Sequence, residues 1–246
     1  MMQPRFIITG HGRSGTLWLA RLLDKCDPSV LVHHEPLGQF DAARYARVYD
    51  GTLDAAKFVR QRRPRMERIW QRHPDDGYAE VNSYLRYCVP ALRDAFPDTP
   101  ILAIVRDGRF VVRSMLARGC YRREGYPPIE PPDEMTFDDP VSVIDSCTPF
   151  GQCCWYWADT YRRLAVSDVK CYKLEILNRN YVEFYHLCER VGITPDHATW
   201  LAHAGKRANV GVADEEPPVW TFDEVEMFAR VAGDVQEWFG YPMEGK

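Results

Sequence analysis

The sequence predicts an α/β fold, with three α/β/α layers around a central, mostly parallel sheet of about five strands. Short apolar runs of strand length alternate along the chain with stretches whose apolar residues repeat at helical spacing. Strands that alternate with helices in this way form a parallel sheet with helices on both faces. The chain has 246 residues, 46% of them apolar and 27% charged, and these values exclude a disordered, collagen-like or coiled-coil protein. We therefore expect one domain over residues 1–246.

Five segments are predicted to be strands, and three of them lead into predicted helices. The first strand ends at Gly10, and apolar residues then follow at helical spacing from Thr16. The fourth is the clearest, because prolines precede its five apolar residues and Arg106-Asp-Gly108 follows them. The strand candidates are residues 5–10, 30–33, 79–81, 101–105 and 169–174.

Two segments depart from this alternation. Residues 124–150 carry seven acidic side chains, no Lys or Arg and a cluster of prolines, so we expect an irregular insertion at about 119–150 that could act as a lid. Residues 42–73 carry nine Lys or Arg against three acids, on a pattern compatible with helices. This stretch is interpreted either as a solvated helical face or as a wall that faces an anionic substrate.

Charge and cysteine usage favour a cytoplasmic protein without nucleic-acid or membrane partners. The 31 Lys and Arg against 35 Asp and Glu give a net charge of −4, so any anion binding must be local. The sequence shows no run of about eighteen apolar residues and no leader cleavage site, so we expect neither a membrane span nor export. The eight cysteines form no Cys-x-x-Cys pair and are interpreted as reduced thiols.

The segment Gly-His-Gly-Arg-Ser-Gly-Thr, from Gly10 to Thr16, has the composition and position of an anion-binding loop. It lies where a strand passes into a helix, and there backbone N–H groups and the positive end of the helix dipole converge on a phosphate-type ligand. The spacing of Gly10 and Gly15 matches the P-loop, which makes the predicted fold P-loop NTPase-like. Thr16 replaces the P-loop lysine, and Arg13 is the cation instead. The alternative is a glycine-rich turn that only begins a helix.

A second anion site is predicted at the end of the fourth strand. Arg106 ends this strand, and Ser114 follows eight residues later, about two turns into the next helix. One ligand group can contact both side chains if the end of the strand curls toward that helix. Taken alone, an arginine at the end of a strand is more often a surface ion-pair partner.

These motifs resemble those of the sulfotransferases that use 3′-phosphoadenosine 5′-phosphosulfate (PAPS). Arg13-Ser-Gly-Thr-Leu-Trp18 is similar to the family's 5′-phosphosulfate loop, and Arg106 with Ser114 is similar to its 3′-phosphate motif. Lys173-Leu-Glu-Ile-Leu177 is similar to the family's Arg-Tyr-Glu-Asp-Leu strand end. Residues 220–241 are similar to its final helix, which ends in Leu-Gly-Tyr. The resemblance is therefore spread over most of the chain.

The resemblance implies how PAPS, and its product adenosine 3′,5′-bisphosphate, would be bound. The first loop would hold the 5′-phosphosulfate, and adenine would stack on Trp18. The 3′-phosphate would be bound by the Arg106 motif, completed by the basic pair Lys206 and Arg207. The implied donor-binding residues are Arg13, Ser14, Gly15, Thr16, Leu17, Trp18, Arg106, Ser114, Lys206 and Arg207. Leu174 departs from the family, whose members often have a tyrosine there, near the adenine.

Transfer of a sulfuryl group to a hydroxyl also needs a base, and the candidates His33, His34 and Glu35 follow the second strand. The ordinary pKa of histidine, roughly 6.5 against about 4.3 for glutamate, favours His33 or His34 on chemistry alone. In family members that act on carbohydrates, a Glu followed by Pro is common at this place and can be the base. The chain resembles a soluble, carbohydrate-sulfotransferase-like branch of the family, and this resemblance implies Glu35 as the base, with His34 as the alternative. Glu80 or Asn82 would support it.

Arg13 completes the predicted catalytic set, because a fixed cation stabilises the charge that grows on the departing phosphate. The histidines form no zinc pattern, so we expect no structural or catalytic metal. The acceptor would be a small-molecule or carbohydrate hydroxyl, or an amine. One rival function is a P-loop kinase or other phosphotransferase, which would share the fold but needs the missing lysine. The other is a non-catalytic nucleotide-binding module.

Overall fold

The computed structural model describes residues 3–72, 77–120, 148–206 and 219–243. Most of the predicted insertion at 119–150, and the candidate Arg207, lie outside the described residues. The chain divides into two compact units. Unit 1 comprises Met1–Val105 and Leu164–Asn209, and unit 2 comprises Arg106–Arg163 and Val210–Lys246.

Five parallel strands form the sheet of unit 1, and they confirm the predicted α/β fold class. The strands are β1 (Ile7–Gly10), β2 (Val30–His34), β3 (Gly77–Val81), β4 (Ile101–Val105) and β5 (Cys171–Lys173). Their order is β2-β3-β1-β4-β5, and each neighbouring pair is parallel. Gly10 lies opposite Ile104, and His34 lies opposite Val81. The residues that follow β1, β2 and β3 therefore leave the sheet at the same edge.

Helices alternate with the strands along the chain. They are α1 (Thr16–Cys26), α2 (Gly38–Tyr49), α3 (Ala55–Trp70), α4 (Val89–Ala95), α5 (Gly108–Ala117), α6 (Pro149–Val166), α7 (Leu174–Leu177), α8 (Tyr181–Val191), α9 (His197–His203) and α10 (Phe222–Trp238). A 3-10 helix spans Ser83–Leu85. The basic stretch at 42–73 forms much of α2 and α3, whereas Leu174, predicted as strand, begins α7. Within the described ranges, no helix combines the length and the apolar character of a membrane span.

The core of unit 1 contains one face of α1. Leu19, Leu22 and Leu23 recur at the predicted helical spacing, and all three are fully buried. They belong to one apolar cluster with Phe6, which precedes β1, and with Phe184 of α8. Burial of each side chain of this size stabilises the fold by roughly 1.5–3 kcal/mol. This packing holds α1 directly behind the loop that precedes it.

In unit 2, the side chain of Trp157 in α6 is fully buried. Its ring lies over Gly108, the first residue of α5, where a Cβ would come within 2.8 Å of the ring. The indole N–H donates to the carbonyl oxygen of Arg106 at 3.2 Å. The ring also packs beside Phe228 of α10. Trp157 therefore fixes the backbone that follows β4.

Candidate active site

The loop between β1 and α1 turns tightly through residues with positive φ. Gly10 has a φ of 143°, and a Cβ there would lie 2.3 Å from the carbonyl oxygen of Ile104 in β4, so only glycine fits. Arg13 and Gly15 have φ values of 75° and 87°, in the left-handed region. This backbone carries the chain from the edge of the sheet directly into the first turn of α1.

The start of α1 forms the far side of this loop, and no described side chain caps it. Its first backbone N–H groups therefore lie at the positive end of the helix dipole without a side-chain acceptor. Thr16 is buried, whereas Arg13 is only partly buried. Leu174 of α7 lies against the loop, because a Cβ at Gly15 would be 2.7 Å from its Cδ1. The loop thus offers backbone donors and one cation to an anion.

His11, within the loop, contributes no positive charge. The residue is buried, and burial lowers its pKa to about 3, with the charges of Arg86 and Arg13 acting in the same direction. Its Nδ1 contacts the carbonyl oxygen of Gly12. The imidazole is therefore neutral at pH 7, and Arg13 supplies the charge of the loop.

Side-chain contacts connect the loop with the ends of β2 and β3. Thr16 Oγ1 lies 3.0 Å from His34 Nε2, and the same nitrogen lies 3.8 Å from Glu35 Oε1. That carboxylate oxygen accepts a hydrogen bond from Ser83 Oγ. We refer to Thr16, His34, Glu35 and Ser83 as the edge cluster. The cluster lies at the carboxyl edge of the sheet, where parallel sheets bind their ligands.

The structure separates the two histidine candidates. His34 contacts Thr16, whereas the ring of His33 packs beside Tyr78 at a centroid distance of 5.2 Å. Neighbouring strand residues point to opposite faces of the sheet, and this accounts for the difference. Burial lowers the pKa of His34; the charge of Glu35 opposes this shift, and that of Arg21 adds to it. His34 is therefore a neutral imidazole at pH 7, in contact with Thr16 of the loop at residues 10–16, which we call the anion loop because the sequence predicts that it binds an anion.

Glu35 is held by its backbone and by one oxygen of its carboxylate. Its φ is 47°, which is unusual for a residue with a Cβ, and its N–H donates to the carbonyl oxygen of Val81 at 3.3 Å. The side chain is 23% exposed. Ser83 occupies Oε1, and no hydrogen bond from the described residues reaches Oε2. Glu35 thus presents one carboxylate oxygen that can receive a proton.

Glu80 and Asn82, the predicted supporting residues, belong to a fully buried ionic network. The Arg62 guanidinium donates to Asp41 Oδ1 at 2.8 Å and to Glu80 Oε2 at 2.7 Å. Asn82 Nδ2 donates to Asp41 Oδ2 and Glu80 Oε2, both at 3.0 Å. The Tyr78 hydroxyl donates to Glu80 Oε1 at 2.5 Å. We refer to Asp41, Arg62, Tyr78, Glu80 and Asn82 as the Arg62 network.

Electrostatics keep Glu80 ionised inside this network. Burial acts to raise its pKa, but the charge of Arg62 and the hydrogen bonds from Arg62, Tyr78 and Asn82 hold the pKa below its ordinary value. Burial raises the pKa of Asp41, Arg62 opposes this shift, and the charge of Glu80 adds to it. Both oxygens of Glu80 are occupied by donors. Glu80 is therefore held within the fold, and its support of a catalytic base stays a prediction.

Two further candidates of unit 1 contact the end of α9. Trp18 is 6% exposed, belongs to the core cluster, and donates its indole N–H to the carbonyl oxygen of His203 at 3.2 Å. The backbone N–H of Lys206 donates to the same oxygen at 3.1 Å, and Lys206 is exposed. Leu17, which precedes Trp18 in α1, is partly buried. The contact of Trp18 with adenine and of Lys206 with a phosphate stay predictions.

In unit 2, Arg106 and Ser114 occupy the two positions that the sequence indicates. Arg106 directly follows β4, and its guanidinium lies 5.3 Å from the ring centre of Phe110. Ser114 is buried in the second turn of α5. The helix begins at Gly108 with Asp107 as its cap, which accepts a hydrogen bond from the backbone N–H of Arg109. Their binding of a 3′-phosphate stays a prediction.

Sequence reasoning did not single out Ser83, Asp41 or Arg62. Ser83 follows the short third strand, and a signal for it existed in the topology: the carboxyl ends of parallel strands meet at one edge. Arg62 lies in the basic stretch and Asp41 directly precedes it, and one acid and one arginine there give no pattern that distinguishes a buried pair from surface charges. Only the packing of α2 and α3 identifies them.

Comparison with solved structures finds the same fold in sulfotransferases. STF9 from Mycobacterium avium matches with a TM-score of 0.62 at 14% identity, over 100% of this chain and 79% of that chain. The sulfotransferase domain from the curacin biosynthetic pathway matches with a TM-score of 0.54 at 12% identity, over 99% and 100%. The sulfotransferase domain from the Synechococcus PCC 7002 olefin synthase matches with a TM-score of 0.52 at 14% identity, over 98% and 97%. No family model and no curated protein matches the sequence.

The chain therefore has the α/β fold of the sulfotransferases. The resemblance seen in the sequence motifs is confirmed at the level of the fold. A fold supports many chemistries, so the residues of the edge cluster and the anion loop must indicate the function.

Proposed function

We propose that this protein is a sulfotransferase that moves a sulfuryl group from PAPS to a hydroxyl, or an amine, of a small-molecule or carbohydrate acceptor without a metal ion. The observation that carries the proposal is the edge cluster. Thr16 of the anion loop contacts His34, which in turn lies beside the carboxylate of Glu35. A candidate general base is thereby next to a loop suited to an anionic donor. The sulfotransferase fold supports the same assignment.

The loop fits the 5′-phosphosulfate end of PAPS. Its backbone curves through positive φ at Arg13 and Gly15, and the start of α1 carries no side-chain cap. When bound, PAPS supplies the sulfuryl group and leaves as adenosine 3′,5′-bisphosphate. We assign this end of the donor to Arg13, Ser14, Gly15, Thr16 and Leu17.

In the proposed reaction, Glu35 receives the proton of the acceptor hydroxyl at Oε2. The acceptor oxygen forms its bond to sulfur while the bond from sulfur to the donor's phosphate oxygen breaks. Arg13 stabilises the negative charge that develops on that phosphate oxygen. His34 stays neutral, because burial lowers its pKa, and its Nε2 orients the hydroxyl of Thr16 in the loop.

The other end of the donor is assigned from the sequence motifs. Arg106 and Ser114 are proposed to bind the 3′-phosphate, with Lys206 and Arg207 as further cations. Trp18 is proposed to contact adenine. Two separate cationic motifs suit a donor with about four negative charges better than they suit a mononucleotide.

Two rival functions make different demands on these residues. A P-loop kinase relies on a lysine at the position of Thr16 to hold the terminal phosphate. Here the side chain at that position is a hydroxyl that contacts His34. A non-catalytic nucleotide-binding module has no need of a carboxylate held by Ser83 beside the loop.

The proposal is tested by incubating the purified protein with radiolabelled PAPS and a panel of hydroxyl and amine acceptors in EDTA. We expect label to pass to at least one acceptor, with release of adenosine 3′,5′-bisphosphate. Turnover of ATP that requires Mg²⁺ would indicate the kinase instead. Binding of the bisphosphate without transfer to any acceptor would indicate the binding module.

Arg13→Ala is the variant that tests the role of the loop in this assay. We expect it to lower the transfer rate by roughly a hundredfold or more, because a fixed donor to the developing charge is lost. Arg190→Ala is the matched control, since Arg190 is an exposed arginine on α8. Equal activity of the two variants would show that Arg13 has no role in the transfer.

A further inference from the structure

We propose that Ser83 is the positioning residue for Glu35: its hydroxyl holds Oε1 of the carboxylate and leaves Oε2 to receive the acceptor's proton. This inference rests on the proposed function. Ser83 Oγ donates to Glu35 Oε1, and the Ser83 side chain is buried while that of Glu35 is 23% exposed. A buried donor therefore orients a carboxylate that is open to solvent.

The position of Ser83 is set by its neighbours and does not depend on Glu35. The preceding residue, Asn82, forms backbone hydrogen bonds to β1: its N–H donates to the carbonyl oxygen of Ile8 at 2.8 Å, and its own oxygen accepts from Thr9 Oγ1 at 2.9 Å. Its side-chain oxygen accepts from the N–H of Tyr84 at 3.0 Å and so caps the 3-10 helix that begins at Ser83. The hydroxyl of Ser83 is thereby presented at a fixed point.

The Arg62 network fixes the other end of the Asn82 side chain. Asn82 Nδ2 donates to Asp41 and Glu80, and Arg62 holds both carboxylates. The side-chain oxygen of Asn82 therefore accepts a hydrogen bond from the 3-10 helix, and its side-chain nitrogen donates to two buried carboxylates. A chain of buried contacts runs from α2 and α3 through β3 to Ser83, and ends on Glu35.

Ser83 also lies against the anion loop. A Cβ built on Gly12 would lie 3.9 Å from Ser83 Oγ, so the hydroxyl lies next to Gly12 in the loop. The same group thus borders both the loop proposed for the donor and the carboxylate proposed as base. Positioning of Glu35 at this point matters because loss of near-attack geometry by a displacement of about 1 Å can cost about a hundredfold in rate.

Removal of the donor should change the geometry of the carboxylate. Ser83→Ala leaves Oε1 of Glu35 without its hydrogen bond and lets the side chain rotate. Ser83→Thr keeps a hydroxyl on the same Cβ and is the conservative variant.

The experiment compares wild type, Ser83→Ala and Ser83→Thr in sulfuryl transfer from PAPS. For Ser83→Ala we expect kcat to fall by about tenfold or more, the loss of one hydrogen bond to a charged group. The KM for PAPS should change by less than about threefold, because Ser83 is proposed to orient the base and not to bind the donor. Ser83→Thr should restore kcat.

Ser29→Ala is the matched control, because Ser29 also donates its hydroxyl to a carboxylate, Asp27 Oδ1 at 2.6 Å, but at the amino end of β2. This variant should lose stability without a change in kcat. A second measurement avoids any need for a known acceptor: in calorimetry, Ser83→Ala should bind adenosine 3′,5′-bisphosphate as the wild type does.

The outcomes separate the inference from the proposed function. An unchanged kcat in Ser83→Ala, or a kcat that Ser83→Thr does not restore, would overturn the inference. Absence of adenosine 3′,5′-bisphosphate binding by the wild type would overturn the proposed function. A fall in kcat with an unchanged KM for PAPS, together with rescue by Ser83→Thr, would support the positioning role.

Discussion

Backbone strain marks the candidate site at the scale of single residues. Among the described residues, Arg13, Glu35 and Asp168 are the non-glycine residues with positive φ, and two of the three belong to the site. Such a conformation costs roughly 1–2 kcal/mol for a residue with a Cβ, so surrounding contacts must hold it in place. The hydrogen bond from Glu35 N–H to Val81 and that from Ser83 supply such contacts.

Substitution of the candidate base gives the first prediction. Glu35→Gln keeps the shape of the side chain and an oxygen that can accept from Ser83, but it cannot take a proton. We expect the transfer rate to fall by roughly 10²–10⁴-fold, the usual contribution of a general base. Binding of adenosine 3′,5′-bisphosphate, measured by calorimetry, should be unchanged. Near-normal turnover would show that Glu35 is not the base, and His34→Gln would then be the next variant to assay.

Gly10 gives a prediction about stability. A Cβ at Gly10 would lie 2.3 Å from the backbone oxygen of Ile104, which cannot move without disturbing the pairing of β1 with β4. Gly10→Ala should therefore lower the free energy of unfolding by more than about 2 kcal/mol in urea denaturation. Gly51→Ala is the control, because Gly51 has a φ of 76° but nothing within 4 Å of its Cβ position. Gly51→Ala should lower the free energy of unfolding only by the cost of this backbone strain, about 1 kcal/mol. Equal losses would contradict the close approach of β1 to β4.

His11 gives a prediction about pH. Burial lowers its pKa to about 3, whereas the imidazole of the unfolded chain has a pKa near 6.5. Between these pKa values the imidazole binds a proton in the unfolded state but not in the folded state, so the free energy of unfolding falls as the pH falls. The slope contributed by this one group is about 1.4 kcal/mol for each pH unit. His11→Asn should give a flatter dependence of the unfolding free energy on pH between about 6 and 4.

The control for His11 is His186→Asn, because the His186 side chain is 54% exposed on α8. This variant should follow the wild-type curve in the same denaturation series. If the His11→Asn curve ran parallel to that of the wild type throughout this range, the neutral buried state of His11 would be refuted.

At the scale of elements, the Arg62 network joins α2, α3 and β3. Asp41 comes from the first turn of α2, Arg62 from the middle of α3 and Glu80 from β3, and all three are fully buried. A buried ion pair contributes little net stability, but removal of one partner leaves a charge without compensation. The network therefore specifies how the two helices sit on the end of β3, and Ser83 follows directly from that end.

Arg62→Met should destabilise the protein by about 3–5 kcal/mol in urea denaturation, because Asp41 and Glu80 stay buried without their cation. Part of the loss should return in the double variant Arg62→Met with Glu80→Gln, which removes one of the uncompensated charges. Arg63→Met is the control at the next position. Its guanidinium pairs with Glu67 at 3.4 Å and is partly exposed, so the loss should stay below about 1 kcal/mol. A similar loss in both variants would contradict the network.

What the sequence could predict depends on how local each signal is. The sheet, the loop at Gly10–Thr16 and the position of Ser114 on a helix were predictable, because apolar runs, glycine spacing and helical period are written within a few neighbouring residues. The third strand was placed only in part, since Gly77 and Tyr78 carry no strand pattern of their own. Ser83 and the Arg62 network depend on contacts between segments about 20 to 50 residues apart, and no single-sequence pattern records these.

At the scale of the whole molecule, charge limits how an anionic donor can be attracted. The net charge is −4, so the average field repels a ligand with about four negative charges. The Debye length is about 8 Å at physiological ionic strength, so salt screens most of this repulsion beyond that distance. Contacts with fixed arginines act at shorter range. Binding must therefore come from particular cations, and each proposed phosphate contact can be tested by matching a ligand to a variant.

The last prediction compares adenosine 3′,5′-bisphosphate with adenosine 5′-monophosphate, which lacks the 3′-phosphate, in thermal unfolding. At equal concentrations the ligand with the lower Kd stabilises the folded protein more, by about 2.7 kcal/mol at a hundred times its Kd, so the difference in Tm reports the 3′-phosphate. Arg106→Ala should reduce the shift given by the bisphosphate to that of the monophosphate and leave the latter unchanged. Arg118→Ala, at an exposed arginine just after α5, should leave both shifts as in the wild type. If Arg106→Ala weakened both ligands equally, the guanidinium would act on a group common to both, and the 3′-phosphate assignment would be wrong.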